Sequence, residues 1–192
     1  MPLKIIRGDH WELVGRGVVL LSSPPALDQA GENYTGRIVE EAALLSKAHA
    51  VIEREGKRTA DSSTLEPTLE EFQSSTQRFL DDFEIRCVLE ILGNNEPGIE
   101  IRTIEAGSDC KELVEIVKER LATNFDLRID PADSEAKESG LGKTPIIRLL
   151  LGPDERGFKK EVAVSGIADV VTLLNAKLGY FETDEGASGV LD

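Results

Sequence analysis

Histidine, cysteine, methionine and aromatic side chains are all scarce. The 192 residues include 2 His, 2 Cys, 1 Met and only 5% aromatics. Each shortage excludes something. Two histidines and two scattered cysteines, at no recognised ligand spacing, do not make a metal site, so no metal and no cofactor is expected. Triad chemistry needs a base that only His10 or His49 could supply, so hydrolysis is not the expected activity. Positive charge is short too: 22 Lys and Arg face 36 Asp and Glu, a net charge of −14. No basic run is longer than the two residues of Lys159-Lys160. Nucleic acid and anionic membrane surfaces, both bound through Lys and Arg, are therefore not expected partners. No run approaches the roughly 18 apolar residues of a membrane span. Arg7, Asp9, His10, Glu12 and Arg16 interrupt the first 21 residues, which removes a signal-peptide reading. The expected compartment is the cytoplasm, and Cys87 and Cys110 are expected as free thiols.

What is present fits a globular chain: 40% hydrophobic and 30% charged residues. Short apolar runs punctuated by Gly and Pro make residues 1–27 read as strands. Ile38, Ala42, Leu45, His49 and Ile52 recur at helical spacing and Gly56 follows, so 37–55 reads as one amphipathic helix with His49 on its inner side. Residues 57–67 read as a linker. Thr68 and Glu71 form a capping box for a second helix, with Leu69, Phe72, Phe79, Leu80 and Phe83 along its apolar face. Residues 84–92 alternate and lead into Gly93-Asn94-Asn95-Glu96-Pro97-Gly98, which suits a strand and a hairpin, although Leu80, Phe83, Cys87 and Ile91 also fit a helix face. Strands are expected at 99–106, around Phe125–Ile129, at 146–151 and at 158–164. Helices are expected after Ser108 or Asp109 and at 167–178. The acidic stretch 182–192 is expected to be disordered.

From Ile99 onward the order strand, helix, strand, crossover, strand, strand, helix resembles the thioredoxin-like superfamily. The resemblance rests on Thr144-Pro145 ahead of the third strand, the Gly152–Gly157 turn, and Gly166 before the last helix. It is nearest to the N-terminal domain of the alkyl hydroperoxide reductase flavoprotein subunit. It implies an α/β fold with a thioredoxin-like domain at 99–181, preceded by an N-terminal strand-and-helix extension (1–67) and a connecting segment (68–98). It also implies a cis peptide at Pro145 and a peptide-binding groove formed by Thr144, Pro145, Ser108 and Asp109. The departure is chemical. Three residues before Cys110 stands Gly107, so the Cys-x-x-Cys of active members is absent.

The expected function is thus a non-catalytic protein-binding or assembly module, joined to a protein partner or self-associated through its amphipathic helices. The alternative is a thiol-redox protein using Cys110 alone, with Cys87 as resolving thiol. Gly140-Leu141-Gly142-Lys143-Thr144 is not a phosphate loop, because position 137 is Lys and a strand, not a helix, follows. The sequon Asn33-Tyr34-Thr35 is idle without secretion.

Overall fold

In the computed structural model, residues 2–7, 10–24, 35–53, 65–105, 110–129, 144–182 and 188–190 are described. The run Val18–Leu21 is apolar on both faces and therefore suits an interior parallel strand. It lies in β3 (Arg16–Ser23), near the middle of a sheet whose other strands form as follows. β1 (Leu3–Arg7) and β2 (His10–Val14) make an antiparallel hairpin. After β3 come α1 (Thr35–Ser46), β4 (Ala48–Glu53), α2 (Leu65–Asp82), β5 (Cys87–Gly93) and β6 (Ile99–Glu105). Then follow α3 (Cys110–Leu121), β7 (Leu127–Ile129), β8 (Ile146–Leu151), α4 (Pro153–Arg156), α5 (Lys160–Lys177), β9 (Tyr180–Glu182) and β10 (Ser188–Val190). Eight strands form one sheet in the order β1-β2-β4-β3-β5-β8-β6-β7, and β9 and β10 pair separately.

The α/β class holds. The sheet draws strands from 1–67, 68–98 and 99–181 alike, so the thioredoxin-like reading of 99–181 does not. Three particulars overturn it. Among the described residues there is no cis peptide bond, so Pro145 is trans. The expected hairpin at 152–157 is the short helix α4, and the expected strand 158–164 opens α5. Gly166 sits inside α5, where an added Cβ would lie 3.2 Å from Leu121 of α3; it lets two helices approach. Ala163, Val164, Ile167, Ala168, Val170, Val171 and Leu174 are buried with helical period, while Phe158 is 79% exposed. A longer window reveals that period; the seven residues 158–164 do not.

The expected helix 37–55 is also two elements. Lys47, at φ 57°, breaks the chain between α1 and β4. His49 is therefore on a strand, with all of Ala48–Ile52 buried between β2 and β3. A continuous apolar run of this length satisfies a buried strand as well as a helix, and the sheet decides. α2 begins at Leu65, so Thr68 falls inside it and does not cap it. Strand β5 matches the expected 84–92 closely. Ser108, Asp109 and the crossover 132–139 lie outside the described residues. The stretch from 182, expected to be without structure, contributes β10.

β4 and β5 flank β3 on opposite sides, both parallel to it. Right-handed crossovers then place α1 on one face and α2 on the other. The first face carries the larger core, where α1, α3 and α5 cover Leu13, Val19, Leu21, Ile52, Leu89, Ile99 and Leu149. On the second face, Phe72 and Phe79 of α2 cover Leu20, Val51, Val88 and Ile146. Burying each such side chain contributes about 1.5–3 kcal/mol. Asn175 of α5 accepts the Val18 N–H at 2.9 Å and ties the start of β3 to the helix layer.

Candidate active site at the carboxyl edge of the sheet

The winding direction changes at β3, and at such a point open α/β sheets place ligands in the crevice outside the carboxyl ends of the parallel strands. Strand β2 runs antiparallel to β4 and pairs His10 with Glu53, so His10 starts at that edge. Strand alternation then puts His10 and Glu12 on the α2 face and Trp11 and Leu13 on the other. Helical spacing brings Phe72, Ser75, Thr76 and Phe79 onto the buried side of α2, with Arg78 beside them.

The two elements meet in a polar cluster. Ser75 Oγ lies 2.7 Å from His10 Nε2, and the His10 ring meets Phe72 edge-on with centroids 6.1 Å apart. Glu12 Oε1 lies 3.5 Å from the same His10 nitrogen and accepts a hydrogen bond from Arg78 Nη2. Arg7 Nε is 3.5 Å from the other oxygen, Glu12 Oε2. The Glu12 side chain is 2% exposed, and a buried carboxylate needs such partners. The geometry is not a relay triad, because carboxylate and hydroxyl approach one nitrogen of the imidazole rather than opposite ones. Near the end of β3, Ser22 Oγ is buried with no hydrogen-bond partner. It sits between Val51 of β4 and Glu90 of β5, and Glu90 is held by both Arg148 Nε (3.0 Å) and Nη2 (2.8 Å).

Two loops at this edge are clamped. Glu155 Oε2 accepts the Gly98 N–H at 3.2 Å. Arg156 donates from Nε to the Leu151 carbonyl (3.1 Å) and from Nη2 to that of Asn94 (2.9 Å). Burial lowers the Arg156 pKa from its usual value.

The residues singled out from sequence lie elsewhere. Cys87 opens β5 and Cys110 opens α3. Thr144 and Pro145 precede β8, where the Pro145 carbonyl accepts the Val88 N–H at 2.9 Å. β8 is parallel to β5, so Cys87, Thr144 and Pro145 mark the amino edge, opposite the crevice. Both thiols are buried. Burial pushes Cys87 up to about 12, with Cys110 adding to it, and burial also raises Cys110. A low-pKa attacking thiol is the opposite environment. His49 is the second residue of β4, buried against Phe83 with ring centroids 4.4 Å apart; burial lowers its pKa to about 4. Sequence reasoning missed Ser75, Arg78, Arg7 and Ser22. The only local signal was His10-x-Glu12 on one strand face.

No family model matches the chain, and no curated protein matches it. Solved structures do resemble it. A bacteriophage poly-gamma-glutamate hydrolase superposes with a TM-score of 0.60 at 11% identity, covering 90% of this chain and 91% of that one. The CwlD amidase from Clostridioides difficile, solved with the GerS lipoprotein, gives 0.56 at 13%, covering 83% and 96%. A putative metallopeptidase from Shewanella amazonensis gives 0.55 at 10%, covering 91% and 87%. The shared feature is the fold, and it is not thioredoxin-like. This likeness to hydrolases overturns the expected binding module and the thiol-redox alternative together.

The metallopeptidase likeness raises the question of a metal. A catalytic zinc centre takes three protein ligands. Among the described residues no three His, Cys, Asp or Glu side chains converge. His10 faces Glu53 across β2 and β4, and His49 is four residues away along β4, roughly 13 Å at the rise of a strand. One metal cannot take both. Glu12 is already held by guanidinium groups. Among the described residues, the side chains do not fit a histidine-held metal.

Proposed function

We propose that this chain is a hydrolase of amide bonds that works at the carboxyl edge of its sheet, with His10 as the group that takes up and returns the proton. The observation that carries the reading is the fold itself, shared over nine tenths of both chains with a hydrolase of amide-linked polymer. Two features of this chain support the place. The winding direction changes at β3, the place where open α/β sheets bind ligands, and near the end of that strand the Ser22 hydroxyl is buried without a hydrogen-bond partner among the described residues. The only histidine at that edge, His10, is held by Ser75 and backed by Glu12. Histidine is the commonest general base, because it exchanges protons near neutral pH.

In this reading His10 accepts a proton from a water molecule as the water oxygen bonds to the amide carbonyl carbon, and the products are a carboxylic acid and an amine. His10 then gives that proton to the nitrogen as the C–N bond breaks. Atoms and charge balance without a further reactant beyond water.

The test is a substrate panel of γ-glutamyl oligomers, muropeptides and N-acyl amino acids, assayed by release of free amine for the wild type and His10→Gln. The expected result is hydrolysis by the wild type and a fall in kcat of about a hundredfold or more in the variant, the size of a general-base contribution. A folded wild type that cleaves none of these amides would overturn the reading. So would undiminished kcat in His10→Gln.

A further inference from the structure

Two arginines share one buried carboxylate beside His10, and both of their side chains stay partly exposed. We infer that Arg7 and Arg78 form a receptor for a carboxylate group, which makes the substrate of the proposed hydrolase an amide bearing free acid. The inference rests on that hydrolase reading for the word substrate; the binding itself does not.

Glu12 is the anchor of the cluster. Its side chain is 2% exposed, and each of its oxygens faces a different guanidinium: Oε1 meets Arg78 Nη2, and Oε2 lies 3.5 Å from Arg7 Nε. One bidentate arginine would satisfy a buried carboxylate. Here two arginines each spend one nitrogen on it. A guanidinium has five N–H donors in a fixed fork, so most of both forks stays open. Among the described residues Glu12 is the partner of both, and the Arg7 and Arg78 side chains remain 50% and 40% exposed.

Anchoring on Glu12 also removes much of the freedom an arginine loses on binding, which lowers the cost of a ligand contact. Charge agrees in sign: two guanidinium groups against Glu12 leave one positive charge. Glu53, opposite His10, is itself engaged. At −14 overall the molecule does not draw anions from a distance. Recognition of an acid therefore needs a local device of this kind. Position follows from the same contacts. Glu12 Oε1, which takes the Arg78 hydrogen bond, is 3.5 Å from His10 Nε2. A carboxylate seated on the forks would therefore lie beside Glu12, the same residue that borders the proposed base.

The test is binding, read by calorimetry on the full chain at low salt with two probes: N-acetyl-L-glutamate and its uncharged diamide. The expected result is that the acid binds, the diamide does not, and added salt weakens the acid. Arg7→Gln is expected to weaken it about tenfold, the worth of a charge-assisted hydrogen bond. Arg78→Lys keeps the charge and the Glu12 pair but loses the fork, and is expected to do the same. Melting curves confirm that each variant is folded. Equal binding of both probes, no binding of either, or unchanged binding in both folded variants would overturn the receptor. The two readings fail separately. Acid binding without any amide cleavage sinks the hydrolase and leaves the receptor, whereas cleavage indifferent to a free acid does the reverse.

Discussion

Ser75 Oγ and His10 Nε2, 65 residues apart in sequence, lie 2.7 Å from each other in a buried contact between α2 and β2. The hydroxyl fixes the direction of the ring, and Glu12 approaches the same nitrogen. Ser75 is therefore a positioning residue rather than a nucleophile backed by a relay. Ser75→Ala is expected to lower kcat on a cleaved amide by about tenfold with little change in KM. A loss of three orders of magnitude or more would instead make Ser75 the attacking group. The size of the fall in kcat separates these, and active-site titration with melting curves corrects for misfolding, which would also lower kcat without moving KM.

Acid should loosen the fold through His49. Its Nδ1 accepts the Gly15 N–H at 3.3 Å, and Phe79 and Phe83 pack against the ring, with centroids 5.8 and 4.4 Å away. Burial holds its pKa at about 4, below the usual 6.5, so the folded state favours the neutral ring. The unfolded chain takes the proton first as pH falls. Stability is therefore full above about pH 6.5 and declines toward pH 4, by about 3 kcal/mol at most for this one group. Urea unfolding midpoints between pH 7 and 4 measure it. His49→Phe is expected to flatten that part of the profile, and an unchanged slope would show that other groups cause the decline.

Neither thiol should behave as a reagent. Cys87 is raised to about 12 and Cys110 is raised too, both by burial. Labelling by a disulfide reagent at pH 8 is expected to be slow in the folded chain and rapid in denaturant. Cys110→Ser is expected to leave amide hydrolysis unchanged, since the residue opens α3, away from the carboxyl edge. Fast labelling of the native protein would contradict this placement.

Gly15, between β2 and β3, has no room for a side chain. A Cβ there would stand 2.2 Å from the Ala48 carbonyl oxygen and 2.3 Å from that of Lys47. Both obstacles are backbone, and Arg16 N–H bonds the same Lys47 carbonyl at 2.7 Å. Gly15→Ala is expected to cost about 2 kcal/mol or more, as overpacking against a fixed strand does. Thermal melting reads it directly, and a wild-type midpoint would show that the β2–β3 connection yields easily.

Much of the local structure was legible in the sequence. β2, β5 and β6 announce themselves by alternation, and α3 by Leu113, Val117 and Leu121 at helical spacing. Two segments misled. Ala48–Ile52 and Phe158–Val164 are short enough that helix and strand templates both fit, and only their neighbours choose. The site was less legible still. His10 and Glu12 share a strand face two residues apart, but the arginine and serine that complete the cluster come from α2, more than sixty residues later.

By itself, the sequence determined that the chain folds as α/β, that no three-histidine site exists in it, and that its charge repels polyanions. Those properties depend on composition and on periodicities of a few residues. Tertiary structure decided the rest: that eight of the ten described strands share one sheet, that the cysteines sit at its amino edge, and that His10, Glu12, Ser75 and Arg78 meet at the other. The reason is physical. Strand order and crossover direction are set by burying two faces of one sheet at once, and no local window of sequence records which distant strand will be the neighbour.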